Sequence, residues 1–68
     1  MQMLVIAGKS EYQQTDKYYT LCLNPQHIKR IFTSALNGET IIETIDGEQY
    51  CTPAILADTI IKVNEALS

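Results

Sequence analysis

Hydrophobic and polar residues in the second half of the chain follow a pattern that predicts a β-hairpin. Residues 40–45 form a run rich in β-branched side chains, and a second run of strand-forming residues follows at 48–52. Asp46-Gly47 separates the two runs. Asp-Gly between two such runs is a strong short-range signal for a hairpin turn.

The register of this hairpin is open at the level of sequence. A two-residue turn places Ile42 opposite Cys51, whereas a three-residue loop that ends in a left-handed Gly47 places Ile42 opposite Tyr50. Because side chains alternate between the faces of a strand, the register decides which of them face the core.

Apolar residues at helical spacing predict one amphipathic helix after the hairpin. Its apolar face carries Leu56, Ile60, Val63 and Leu67. Thr52 is placed to cap the helix, and Pro53 suits the first helical position. A short helix of this kind is stable only when its apolar face packs on another element, which here is the sheet.

The first third of the chain predicts two strands. The continuous apolar run at 3–7 is consistent with a strand buried on both faces, and Gly8 ends it. The polar segment 8–16 predicts a surface loop. Residues 18–23 then alternate, which predicts a second strand. One face of this strand carries Tyr19, Leu21 and Leu23, and the other carries Tyr18, Thr20 and Cys22.

A further strand is predicted before the hairpin. Asn24-Pro25 breaks the preceding strand, because proline removes an amide donor and restricts the residue before it. Residues 27–32 form either a strand or a single helical turn, and their β-branched and aromatic content favours the strand. In the strand, Ile28, Arg30 and Phe32 are expected to face opposite to Lys29 and Ile31. Asn37-Gly38 supplies the turn that follows. The pattern predicts an α+β fold, a small, mostly antiparallel sheet of four to five strands with one C-terminal helix packed on it.

Chain length and charge limit the classes of function that this protein can have. The 68 residues are predicted to form a single small domain, and 46% hydrophobic against 19% charged residues indicates a folded chain. Five basic residues against eight acidic ones give a net charge of −3. Nucleic-acid binding draws its affinity from cationic side chains, and Lys29-Arg30 is the only basic pair. Nucleic acid is therefore a disfavoured partner.

The chain shows no signal for membranes or secretion. No run approaches the roughly 20 apolar residues that cross a bilayer, so no membrane insertion is expected. Residues 1–7 lack the length and the basic flank of a secretion signal, so a cytoplasmic location is predicted. In that compartment Cys22 and Cys51 are expected to be reduced thiols.

The residues that could carry chemistry form no recognisable site. Cys22, His27 and Cys51 are the only strong transition-metal ligands, one short of a closed structural zinc site, and no CxxC motif is present. A cysteine nucleophile would need His27 beside it and donors for an oxyanion. We therefore predict no catalytic residues, no metal and no cofactor, and a protein that is not an enzyme.

Tyrosine is the residue type that points to binding. The four tyrosines are Tyr12, Tyr18, Tyr19 and Tyr50. Tyrosine buries a large ring and keeps a polar tip, which suits protein interfaces. Tyr12, in the polar loop, and Tyr18, on the strand face opposite Leu21, are the candidate interface residues. Lys29 and Arg30 complete the candidate interface.

Two family resemblances follow from these segments. Residues 23–31, 39–42 and 46–50, followed by a short apolar helix, resemble the small FlbD/SwrD-type flagellar and swarming-motility proteins. The same stretch is similar to the last half of LytTR-type DNA-binding domains. Those domains carry basic residues just before an asparagine that corresponds to Asn24, where they contact DNA. The corresponding stretch here, residues 18–23, contains no basic residue.

The leading hypothesis is a small, cytoplasmic, non-enzymatic binding or regulatory module. It acts through protein–protein interaction by a sheet edge or a tyrosine-bearing face, with a homodimer as one form of that interaction. The first resemblance implies a motility-related process. The alternatives are a nucleic-acid-associated regulator of LytTR-like topology and a phage- or mobile-element-encoded inhibitor of a host protein.

Overall fold

A computed structural model describes residues 1–11 and 17–68. The strands in this part of the chain are β1 (Leu4–Ser10), β2 (Tyr19–Leu23), β3 (Ile28–Thr33), β4 (Thr40–Thr44) and β5 (Gln49–Thr52). A 3-10 turn at Pro25–His27 precedes β3, and helix α1 spans Leu56–Leu67. The strands pair antiparallel in the order β2-β1-β5-β4-β3. The predicted α+β fold is confirmed.

The β4–β5 hairpin has the register of the three-residue loop. Ile42 lies opposite Tyr50. Gly47 has a φ of +90°, and its N–H donates to the carbonyl of Thr44 at 3.0 Å. Left-handed backbone of this kind favours glycine, which explains why the loop ends at that residue. In this register the side chain of Ile42 points into the core, where it is fully buried.

The helix begins three residues later than the sequence predicts. Thr52 and Pro53 precede Leu56, and Ile55 occupies the N-cap position without a side-chain hydrogen bond. Thr52 is paired with Thr40 at the end of β5, so its backbone belongs to the sheet. The predicted cap is wrong because Thr52 is the last residue of β5, and the helix begins only after the chain has left the sheet.

The buried face of the helix is also rotated from the predicted one. Thr59, Val63 and Ala66 are buried, whereas Ile60 and Leu67 remain 41% and 44% exposed. The Thr59 hydroxyl donates to the carbonyl of Ile55 at 3.1 Å, which satisfies its hydrogen-bonding capacity inside the protein. Half of the predicted apolar face is therefore at the surface.

The core lies between the helix and one face of the sheet. Its buried residues are Leu4, Ile6, Ile42, Val63 and Ala66, and Leu21, Leu23, Ile28 and Ile31 pack against them. The helix covers only this face, so Val5 on the other face of β1 is 57% exposed. The prediction that the first strand is buried on both faces is wrong for that reason.

β1 passes through Gly8 instead of ending there and continues to Ser10. A Cβ atom at Gly8 would lie 2.8 Å from the Cys51 carbonyl oxygen and 2.8 Å from Leu21 Cδ1. Gly8 is the last residue of β1 that pairs with β2, and the pairing of β1 with β5 begins at the next residue, Lys9. Only glycine permits so close an approach of backbone and side chain.

The favoured strand interpretation is confirmed for residues 28–32, with one irregularity, whereas His27 belongs to the preceding 3-10 turn. Ile28 pairs with Thr44 and Arg30 pairs with Glu43, so Lys29 is an extra residue that forms a β-bulge. The bulge lets Ile28 and Ile31 both pack against the core. The strict alternation expected from the sequence, with Ile28 opposite to Ile31, is therefore wrong.

Candidate protein-binding surface

The helix-free face of the sheet carries an uncharged area on its β1–β2 side. The cross-strand pairs Val5–Cys22 and Ala7–Thr20 place these side chains on the face opposite the core. All four residues are exposed. We call Val5, Ala7, Thr20 and Cys22 the ribbon surface. An uncharged, exposed strand face is the kind of area that becomes the dry centre of a protein interface.

Tyr18, one of the predicted interface residues, lies next to this surface. Tyr18 directly precedes β2 and is 37% exposed. Its hydroxyl donates to Glu39 Oε1 at 2.7 Å, and Lys9 Nζ lies 5.2 Å from the centroid of its ring. An aromatic ring that is already held in place loses less conformational freedom when a partner covers it.

Beside Tyr18, the helix-free face contains a buried thiol. Cys51 lies opposite Lys9 in β1 and opposite Ile41 in β4. Its Sγ–H donates to the carboxylate of Glu11. Burial, together with the hydrogen bond and the negative charge of Glu11, raises the pKa of Cys51 to about 12. The group is therefore a protonated thiol at neutral pH, and a thiol is a poor nucleophile.

The two cysteines lie in strands, as predicted, and both are free thiols. They differ in environment, because Cys22 is exposed on β2 whereas Cys51 is buried on β5. This difference gives the ribbon surface a single accessible sulfur that can serve as a chemical probe.

The remaining predicted interface residues lie elsewhere. Arg30 forms an ion pair with Glu43, and its guanidinium lies 4.9 Å from the centroid of the Phe32 ring. The hydrogen bond from Arg30 lowers the pKa of Glu43. Lys29 is exposed in the bulge of β3. Tyr12 lies outside the described residues.

Tyr18 and Arg30 therefore belong to different places on the sheet. Tyr18 contacts Glu39, just before β4, whereas Arg30 contacts Glu43 near the end of that strand. Four residues of a strand span roughly 13 Å. The sequence named both residues as interface candidates, but the structure holds them by separate contacts at the two ends of β4.

A cleft of about 350 Å³ lies where β2, the 3-10 turn and the β4–β5 loop meet, and both Cys22 and His27 line it. No hydrogen bond joins these two residues in the part of the chain that the structure describes. Asp46, on the same cleft, accepts hydrogen bonds from the Thr44 hydroxyl and the Glu48 amide, which lower the pKa of Asp46. Its carboxylate is thus held within the hairpin loop.

Within residues 1–11 and 17–68, no group of three histidine, cysteine, aspartate or glutamate side chains is arranged to hold a metal ion. Nor is any helix of these residues long and apolar enough to span a bilayer.

The two edges of the sheet are β2 and β3. β2 contains no charge and no proline, and it pairs with β1 over five consecutive residue pairs without a bulge. β3 carries Lys29 and Arg30 together with the bulge. Charges and bulges are the features by which proteins prevent unwanted pairing at a sheet edge. β3 has both features and β2 has neither.

The sequence showed that residues 18–23 lack basic side chains, but the position of this segment at a sheet edge appears only in the structure. No family model, curated protein or solved structure matches this chain. The resemblances to motility proteins and to LytTR-type domains remain predictions.

Proposed function

We propose that this chain is a non-enzymatic protein-binding module that docks a partner protein on the ribbon surface beside Tyr18. The observation that carries the proposal is the uncharged, exposed helix-free face of β1 and β2, bordered by a tyrosine whose hydroxyl and ring are both held by neighbours. Interface centres are depleted in charge and enriched in tyrosine.

The chemistry of the neighbouring residues supports binding over catalysis. The Cys51 thiol is buried and its pKa is raised to about 12, so it supplies no thiolate near neutral pH. The Glu11 carboxylate beside it accepts the Sγ–H hydrogen bond.

The regulatory role and the cytoplasmic location belong to the same proposal. Because of the resemblance to FlbD/SwrD-type proteins, motility proteins are the first candidates for the partner. Nucleic-acid association would depend on Lys17, Lys29 and Arg30, and the ion pair of Arg30 with Glu43 already neutralises one of these three charges. The observations therefore favour a protein partner.

The proposal is tested by affinity purification of the tagged full chain from its native cell, with nuclease added, for two matched variants. Val5→Lys places a charge on the ribbon surface, whereas Ile61→Lys places one on the helix at a residue of almost equal exposure, 57% against 56%. We expect Val5→Lys to lose a stoichiometric partner that the wild type and Ile61→Lys both retain.

Two results would count against the proposal. The first is a partner that Val5→Lys retains at wild-type yield, because the docking surface then lies elsewhere. The second is recovery that disappears with nuclease in the wild type, because the module then associates with nucleic acid. Circular dichroism of both variants controls for loss of folding.

A further inference from the structure

The outer edge of β2 is not paired with any strand of residues 1–11 and 17–68. We infer that this edge is a self-association surface, at which a second copy of the chain adds its own β2 in antiparallel orientation. Addition of a strand to an exposed edge satisfies the backbone groups of both strands with main-chain hydrogen bonds. Self-association here does not depend on the partner protein proposed for the ribbon surface.

The side-chain pattern of β2 allows β2 of one copy to pair with β2 of a second copy. Apolar or aromatic residues occupy the odd positions, Tyr19, Leu21 and Leu23, and small uncharged ones occupy the even positions, Thr20 and Cys22. This pattern is symmetric about Leu21. A two-fold axis through Leu21 pairs Tyr19 with Leu23 of the second copy, Thr20 with Cys22, and Leu21 with itself.

Such an arrangement is what a two-fold dimer requires. In an isologous interface the same patch meets itself, so every charged residue near the axis meets its own charge. β2 has no charge to oppose. Pairing at the β3 edge would instead bring the exposed Lys29 of one copy close to the Lys29 of the other, and like charges opposite each other are destabilising.

The exposure of the strand agrees with a second copy as the occupant. Tyr19 is exposed, and Leu21 and Leu23 are only partly buried although they pack against the core. In the two-fold pairing these three side chains form one apolar row that continues across the axis on the core side of the joined sheet. No charged side chain on β2 selects an acidic or basic peptide instead.

The pairing also joins the two ribbon surfaces. Thr20 and Cys22 lie on the helix-free face, so the same face of the second copy continues the surface across the axis. A dimer of this kind presents two ribbon surfaces side by side, which favours partners that are themselves paired or repeated.

The first test is the mass of the purified full chain in solution, measured by light scattering at about 100 µM on elution from a size-exclusion column. We expect twice the chain mass of 7.7 kDa for the wild type. Thr20→Lys is expected to halve this mass, because the two introduced lysines become close neighbours across the axis. Thr33→Lys, the matched change at an exposed residue of the β3 edge, is expected to retain the doubled mass.

A wild-type mass of 7.7 kDa would overturn the inference, as would a doubled mass that Thr20→Lys leaves unchanged. Because the measurement contains no other protein, it can fail while the partner on the ribbon surface is still captured, and the reverse also holds.

A second test uses the exposed thiol and remains decisive if Thr20→Lys does not fold. Diagonal neighbours in an antiparallel pair lie about 7–8 Å apart, which is the expected separation of the two Cys22 residues. A short bis-maleimide should therefore link two wild-type chains, whereas buried Cys51 does not compete. Cys22→Ser removes the link. A thiol moved to the β3 edge, in Cys22→Ser/Thr33→Cys, should give no covalent dimer.

Linkage of the Thr33→Cys variant as efficiently as the wild type would overturn the inference, because it would show collision between chains and not pairing at β2. Absence of any wild-type linkage would overturn it as well.

Discussion

The two edge strands of this sheet differ in charge and in regularity. β3 carries a bulge and two adjacent cations, of which Arg30 is bound to Glu43 across the strand pair, whereas β2 is regular and uncharged. Within residues 1–11 and 17–68, only the β3 edge carries features that prevent pairing, which is the pattern expected if the β2 edge is used for association. This difference is the reason for which we propose that the β1–β2 half of the sheet binds other chains.

The largest effect is expected where the two halves join. Gly8→Ala places a methyl group 2.8 Å from the Cys51 carbonyl oxygen, so the backbone of β5 must shift to accommodate it. We expect a loss of about 1–3 kcal/mol in the free energy of unfolding, the usual range for overpacking, measured by urea denaturation. Ala7→Ser, at the exposed neighbouring position, serves as the control.

An unchanged unfolding free energy in Gly8→Ala would show that β1 is not held against β5 at this point. The β1–β2 half would then be free to separate from the rest of the sheet, and the comparison of two edges of one sheet would no longer apply.

The second prediction removes the protection of the β3 edge. Lys29→Thr/Arg30→Thr makes that strand uncharged like β2, so the bulge is the only one of the two protective features that this edge keeps. We expect assemblies larger than the dimer, detected by light scattering at increasing protein concentration. Lys62→Thr, which removes a cation from the exposed side of the helix, should leave the mass unchanged.

If the double variant keeps the wild-type mass, charge is not what protects the β3 edge. The bulge is then the feature that prevents pairing there. That result would weaken the contrast from which the role of β2 is inferred.

The third prediction concerns the buried thiol on the helix-free face. The pKa of Cys51 is raised from 9.0 to about 12 in the folded chain, so the folded chain keeps a proton that the unfolded chain loses above pH 9. Stability should therefore fall as the pH rises through that range, by at most about 1.4 kcal/mol per pH unit. Urea midpoints of the wild type and Cys51→Val between pH 7 and 10.5 measure this contribution.

Cys51→Val lacks the titrating group, so the difference between the two proteins should move in favour of the variant above pH 9. A difference that stays constant with pH would contradict the buried, protonated thiol.

The smallest effect is expected at the ion pair of the β3 side. The pKa of Glu43 is lowered by Arg30 from its ordinary value of 4.5, so the pair stabilises the fold above that pH and loses its contribution as the pH falls through the lower folded-state value. Urea midpoints of the wild type and Arg30→Gln should differ slightly at pH 6 and converge towards pH 3. An equal difference at both pH values would contradict this account.

The sequence predicted the elements of this fold much better than their arrangement. The hairpin and the helix have strong local signals, namely Asp46-Gly47 and the helical spacing of apolar residues, and both elements are present. The start of the helix was missed because Thr52 pairs with Thr40, a contact across the hairpin. The bulge at Lys29 was missed because it depends on how two strands pair and not on either strand alone.

The candidate site was predicted only in part for the same reason. Tyr18 is recognisable from the sequence as an aromatic residue on the face opposite Leu21, but its partner Glu39 lies 21 residues away. Arg30 and Glu43 are 13 residues apart. The order of the strands, which makes β2 an edge, is a property of the whole sheet that no local pattern contains.

Amide hydrogen exchange of the wild type at low and high protein concentration tests the central claim most directly. If β2 is the edge at which two chains join, amides of Tyr19–Leu23 should become more protected as the concentration rises from a few micromolar to about a millimolar, while those of Ile28–Thr33 keep the same rates. Protection that rises equally on both edges, or on neither, would contradict the account.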